Sequence, residues 1–147
     1  MELNTAASVI AYSSRIEQDS AKLYENWAEK HEEVEDTFLS FAKENKKNES
    51  FIKRAYYSVI SDALETGFSF KGLTADIILP HVEGDAPVAE LLRASINMEH
   101  SIKEFYLKAA ELSKSLMADV PRAMEKVARS RDSRIAHLGS MFEGIEG

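Results

Sequence analysis

Glu17-Gln-Asp-Ser-Ala-Lys-Leu-Tyr24 and Glu99-His-Ser-Ile-Lys-Glu-Phe-Tyr106 are the two stretches that decide the fold. In each, a Glu precedes a Tyr by seven positions, or two turns of an α-helix, so both side chains leave the same helix face. The rest of that face is apolar or small. Ile10, Ser13, Ala21 and Ala28 surround the first pair, and Val88, Leu92, Ser95, Ile102 and Ala109 surround the second. A carboxylate inside a core-facing stripe requires a partner, because an unpaired buried charge is very costly.

Long uninterrupted stretches flank both motifs, and the 6 Gly and 3 Pro fall mostly between them, which indicates an all-α chain. A first helix is predicted from Asn4 or Thr5, either a suitable N-cap, to Lys30. A second starts near Glu32-Glu33, acids that suit a positive helix end, and continues to Glu65 with Gly67 as its C-cap. Its inward positions are Val34, Phe38, Phe41, Ala42, Asn45, Asn48, Ile52, Ala55 and Val59, so two asparagines interrupt the stripe one turn apart. Between Gly67 and Pro87 the helical pattern lapses. Phe68, Phe70, Leu73, Ile77, Ile78 and Leu79 make this an ordered crossover along the outside of a bundle. A third helix opens at Asp85-Ala-Pro87 and runs to Leu116; a fourth opens at Asp119-Val-Pro121 and runs to Glu143. The stripe of the fourth is Met124, Val127, Arg131, Arg134, Leu138 and Met141, with two arginines where apolar residues belong.

The halves align as an internal repeat. Glu17 matches Glu99, Tyr24 matches Tyr106, and Asn45/Asn48 match Arg131/Arg134. Glu17 to Asn45 spans 28 residues and Glu99 to Arg131 spans 32. Two helix pairs related by a pseudo-two-fold would bring all six polar residues to one level. The expected arrangement is an up-down-down-up four-helix bundle forming one domain over residues 1–147.

Composition narrows the classes of function. With 44% hydrophobic and 29% charged residues, the chain is an ordinary globular one. A net charge of −7 argues against nucleic acid as a partner, which would call for clustered Lys and Arg. No apolar run approaches a membrane span, and Met1-Glu-Leu-Asn-Thr-Ala lacks the basic start of a signal peptide. The expectation is a cytoplasmic protein with no membrane partner. The absence of Cys removes disulfides, thiolate metal sites and cysteine redox chemistry. His31, His81, His100 and His137 have no metal-ligand spacing on a core face. The run Lys43-Glu-Asn-Lys-Lys47 reads as solvated helix surface.

In these residues the chain resembles the ferritin-like four-helix bundles, and among them the rubrerythrin-type domain, over essentially its whole length. Phe41-Ala-Lys-Glu-Asn-Lys-Lys-Asn-Glu-Ser-Phe51 is similar to that family's second helix, and Ile96-Asn-Met-Glu-His-Ser-Ile-Lys-Glu-Phe-Tyr106 to its third. The resemblance implies a di-iron carboxylate centre, with Glu then Tyr on helices 1 and 3 and Glu-x-x-His on helices 2 and 4. It also implies oxidoreductase chemistry and a homodimer. Here the ligand positions read Glu17, Asn45, Asn48, Glu99, Arg131 and Arg134, with Tyr24 and Tyr106 beside them. Four of the six differ from the family's ligands. Arg has no lone pair for a metal, and Asn is a weak ligand for iron.

The reading that follows is a metal centre replaced by a buried Glu/Arg/Asn network, with Tyr24 and Tyr106 bonded to the carboxylates. No cofactor is expected, and the role is non-catalytic binding or structure. Two alternatives stand beside it. One is an iron-handling oxidoreductase using the residual ligands Glu17 and Glu99. The other is a small-anion-binding module using the core arginines.

Overall fold

The computed structural model describes residues 2–3, 5–59, 72–83, 85–114 and 119–146. Among these residues, four long helices carry the fold: α1 (Ala6–Lys30), α2 (Glu35–Val59), α3 (Val88–Leu112) and α4 (Asp119–Glu146). Among the described residues there is no strand, only an isolated bridge between Glu2 and Thr74.

Thr5 starts α1 with a capping box. Its hydroxyl accepts from the Ser8 N–H at 3.0 Å, and the Ser8 hydroxyl accepts from the Thr5 N–H at 3.2 Å, so two otherwise orphaned donors are satisfied. The chain leaves α1 at Lys30 and turns through a short 3-10 segment, Glu32–Val34, before α2 begins at Glu35. The acids expected to open the second helix therefore form the tight turn ahead of it. The predicted extension to Glu65 and the Gly67 cap lie outside the described residues.

At α3 the expected Asp85 cap is not used. Pro87 occupies the N-cap in extended conformation (φ −61°, ψ 149°), and no side chain caps the helix. The ring fixes φ, and the residues before it cannot enter the helix easily. The helix ends at Leu112, with Ser113 closing it through an N–H to the Ala109 carbonyl at 3.0 Å, short of the expected Leu116. The fourth helix begins at Asp119 as the sequence suggests and runs to Glu146, past the expected Glu143.

Inter-helix contacts fix the directions. Ser14 bonds Glu49 and Tyr24 packs on Phe38, so α1 and α2 are antiparallel. Arg131 reaches Glu99 and Arg93 lies under Phe142, so α3 and α4 are antiparallel. Tyr24 meets Glu99 and Tyr106 meets Glu17, so α1 and α3 are antiparallel too. The helices run up, down, down, up.

Residues 72–83, which form no helix, pack on the outside of this bundle. The Leu3 N–H donates to the Leu73 carbonyl at 2.7 Å, and the Ile77 N–H donates to the Tyr12 hydroxyl at 3.0 Å. Leu73 is buried, while Ile77, Leu79 and Val82 are partly buried against the core. Ile78, read as part of that apolar face, is instead 88% exposed. Gly72 opens the segment at φ 84°, a conformation that favours glycine. The portion of the expected crossover before it is outside the described residues.

The core stripes match the predicted faces, except that Asn48, Val88, Ala55 and Met141 are only partly buried and the Val59 side chain lies outside the described residues. Tyr24, Trp27, Phe38 and Phe41 form one aromatic cluster, with Tyr24 and Phe38 centroids 4.9 Å apart and Trp27 and Phe38 5.8 Å apart. On α3, Phe105 packs edge-on against Tyr106 at 5.5 Å and against Tyr12 at 5.1 Å. The polar layer is embedded among these rings and the aliphatic core.

Candidate functional site

Glu17 of α1, Glu99 of α3 and Arg131 of α4 meet at mid-bundle with 1%, 0% and 0% exposure. The Arg131 guanidinium spans both carboxylates, donating from Nε to Glu99 Oε1 at 2.6 Å and from Nη2 to Glu17 Oε1 at 3.1 Å. Arg134, one turn further along α4, donates from Nη1 to Glu99 Oε2 at 3.0 Å. Its Nη2 bonds the Phe41 carbonyl at 3.1 Å and the Asn45 side-chain oxygen, and its Cζ lies 4.9 Å from the Phe41 ring centroid. Asn45 then donates from Nδ2 to the Glu17 carbonyl at 3.1 Å and to Ser20 Oγ at 2.8 Å. Each long side chain is thus held by several fixed partners, which charged groups removed from water require.

The tyrosines cross over. Tyr24 donates to Glu99 Oε2 at 2.5 Å, and Tyr106 donates to Glu17 Oε2 at 2.6 Å. Each motif's hydroxyl therefore closes on the other motif's carboxylate. Within one helix, seven residues separate the two side chains by about 10 Å, too far for a direct bond.

Electrostatically the carboxylates are unequal. Burial, which outweighs the attraction of Arg131 and the Tyr106 bond, holds the Glu17 carboxyl above the usual carboxylate range. Burial pushes Glu99 the same way, but Arg131 and Arg134 together with Tyr24 overcome it and hold Glu99 below that range. Burial and the neighbouring carboxylates push both phenols well above their ordinary value, so Tyr24 and Tyr106 remain donors. For Arg131, burial favours loss of the proton, but Glu17 and Glu99 outweigh it and the guanidinium stays charged.

Two of the sequence readings need correction. Asn48 does not join the network: it is only half-buried, and its Nδ2 has no hydrogen-bond partner among the described residues. Glu44, read as solvated surface, pairs with Arg134 instead, through Nε to Oε1 at 2.8 Å, although its side chain is 44% exposed. The signal was present in the sequence: Glu44 lies three residues after Phe41 and four before Asn48, on the same helix face. Ser20 was also passed over. It returns its proton to the Ile16 carbonyl at 2.6 Å and is free to accept from Asn45.

This donor set does not fit a dinuclear metal centre. Two of the six side chains are protonated guanidiniums without a lone pair, and they already occupy oxygens of both carboxylates. Among the described residues, no group of three or more His, Asp or Glu side chains is placed to hold a metal ion. No described helix is long and apolar enough to cross a membrane. Compared with protein-family models, curated proteins and solved structures, the chain finds no match.

The hydroxyls give a direct test of the layer. Tyr106→Phe is expected to destabilise the fold by about 1.5–3 kcal/mol, the range for a hydrogen bond to a charged group. Tyr24→Phe should cost less, because Glu99 keeps two guanidiniums whereas Glu17 keeps one. Urea unfolding of the two variants checks both the size and the order.

Proposed function

We propose that the chain is a rubrerythrin-type, ferritin-like bundle, with the segment between α2 and α3 as its crossover. In this reading a fixed Glu/Arg/Asn network takes the positions of a di-iron centre, and the protein serves as a non-catalytic binding or structural module. The observation that carries the reading is the place of Arg131. It bridges the Glu17 and Glu99 carboxylates from α1 and α3, as a bridging cation would, and it is completely buried. A second point supports a non-catalytic role. Glu17 and Glu99 have essentially no exposed surface, and each carboxylate oxygen accepts a bond from an arginine or a tyrosine. Neither is left to serve as a general base or a ligand.

Elemental analysis tests the reading. After exposure to excess ferrous iron and desalting, the parent chain is expected to retain well under one iron per chain. The variant Asn45→Glu, Asn48→His, Arg131→Glu, Arg134→His restores the full set of carboxylates and imidazoles. It is expected to gain roughly two irons per chain, the count of a carboxylate-bundle centre. Near-stoichiometric iron in the parent would reverse the reading in favour of an iron-handling protein using Glu17 and Glu99. An empty variant would show that the positions have been matched wrongly.

A further inference from the structure

A groove of about 710 Å³ runs over the outer surface where α2 meets α4. Lys43, Lys47 and Arg54 of α2 and Lys126 of α4 line it, an unusual concentration of cations on a chain of net charge −7. Its remaining charges are committed elsewhere. Lys46 pairs with Glu25 at 3.3 Å, and Glu44, the one carboxylate on the wall, pairs with Arg134. None of Lys43, Lys47, Arg54 and Lys126 has a carboxylate partner among the described residues. Lys126 lies over the Phe51 ring at 4.5 Å, so the groove has one aromatic wall.

Polar atoms beneath this groove are unsatisfied. Asn48 lines it, and its Nδ2 is buried without a hydrogen-bond partner; the Nη1 of fully buried Arg131 is in the same state. Arg134 on Asn45 and Lys126 over Phe51 set an antiparallel register between α4 and α2, which puts Arg131 and Asn48 on the rung between. Both donors lack an acceptor among the described residues, a costly arrangement. The amide of Asn can turn end for end without a change of shape. Turned, Asn48 directs its oxygen to the buried side, where Arg131 needs an acceptor, and presents its NH2 group to the groove.

We propose that this groove binds a small polyanion, a phosphate ester or a polycarboxylate, which Lys43, Lys47 and Arg54 hold while the Asn48 amide donates to it. The single aromatic wall, the clustered cations and the amide donor suit a compact ligand. The strongly acidic remainder of the surface repels an extended polyanion. Lys43, Lys47 and Arg54 lie outside the buried network, so their hold on the anion does not require that the network replaced a metal centre.

Calorimetric titration of the full chain at low salt tests this, with inorganic pyrophosphate as one probe and citrate as the other. Binding in the range of about 0.1–1 mM is expected, weakening as salt is raised. A response to one probe and not the other assigns the class, phosphate or carboxylate. Lys47→Glu and Arg54→Glu should each weaken binding by about tenfold or more, and Asn48→Ala by about threefold to tenfold. Lys22→Glu, an equal change of net charge at an exposed site on α1, should leave binding unchanged. The side-chain amide resonance of Asn48 should shift on titration, and unliganded melting of each variant verifies the fold. No heat with either probe at about 10 mM overturns the proposal. Equal weakening by Lys22→Glu and Lys47→Glu also overturns it, since that would make the effect one of net charge alone.

Discussion

Arg131→Met is expected to lower the stability of the fold by roughly 3–5 kcal/mol, the cost of removing one member of a buried ion pair. Among the described residues, the guanidinium is the only group hydrogen-bonded to both carboxylates. Without it, among the described residues, the Glu17 side chain retains only the Tyr106 hydroxyl, and Glu99 retains Arg134 and Tyr24. A buried carboxylate without a counter-charge escapes its penalty by taking up a proton, and Glu17 is already biased that way by burial. The variant should therefore recover part of the loss as the pH is lowered, because protonation removes the unpaired buried charge of Glu17. An apolar replacement of the whole layer behaves differently. Glu17→Leu, Glu99→Met, Arg131→Met and Arg134→Leu, combined with Tyr24→Phe and Tyr106→Phe, should be close to neutral or stabilising by about 1–4 kcal/mol, since desolvation is avoided on both sides. Urea unfolding of the parent, the single variant and the combined variant separates these cases. A loss of less than about 1 kcal/mol in Arg131→Met would mean that the arginine does not hold the layer together.

The second large effect belongs to Glu99. Glu99→Gln is expected to cost about 3 kcal/mol or more, and Glu17→Gln distinctly less. Glu99 accepts from Arg131 Nε, Arg134 Nη1 and the Tyr24 hydroxyl, so an amide there must turn its own NH2 towards donors. Glu17 accepts from one guanidinium and one hydroxyl, and neutralising it removes a charge that burial opposes.

Acid titration reads the same asymmetry with opposite signs. Glu99 is held below its ordinary value of 4.5, so the stability it contributes is complete above that value and is lost as the pH falls through its lower folded value. Glu17 is held above 4.5, so its cost is complete above its folded value and is relieved as the pH drops towards 4.5. The parent should keep or slightly gain stability on acidification to about pH 4.5 and lose it steeply below. In Glu99→Gln the steep acid limb attributable to this site should be absent, while Glu17→Gln should retain it. Equal acid limbs in the two variants would show that the carboxylates are not divided in this way.

Much of this layer is legible in the sequence because charge in a core stripe has so few physical solutions. Glu17, Glu99, Arg131 and Arg134 all fall on the period of their apolar neighbours, and the structure buries all four. What the stripe does not encode is the reach of a long side chain. Arg134 extends sideways to Glu44 as well as inward to Asn45 and the Phe41 carbonyl, so a residue at the edge of the stripe is drawn into the site. Asn45 and Asn48 look equivalent as a matched pair, yet only Asn45 meets Ser20 and Arg134, because Asn48 sits one turn on at the groove wall. The ends of α3 differ from the sequence expectation for a local reason. Asp85 precedes a proline that takes the cap position itself, and the segment after Leu112 turns away at Ser113.

The crossed hydroxyl bonds have a bearing on assembly. The first hairpin brings Glu17 and Glu44 to the layer and no cation, whereas the second brings Glu99 with both arginines. Two copies of the first hairpin pressed together would confront carboxylate with carboxylate, and two copies of the second would crowd four guanidiniums around two acids. Only the unlike halves neutralise one another, so the layer works as a matching code that steers each half of a chain to its sibling and away from its duplicate.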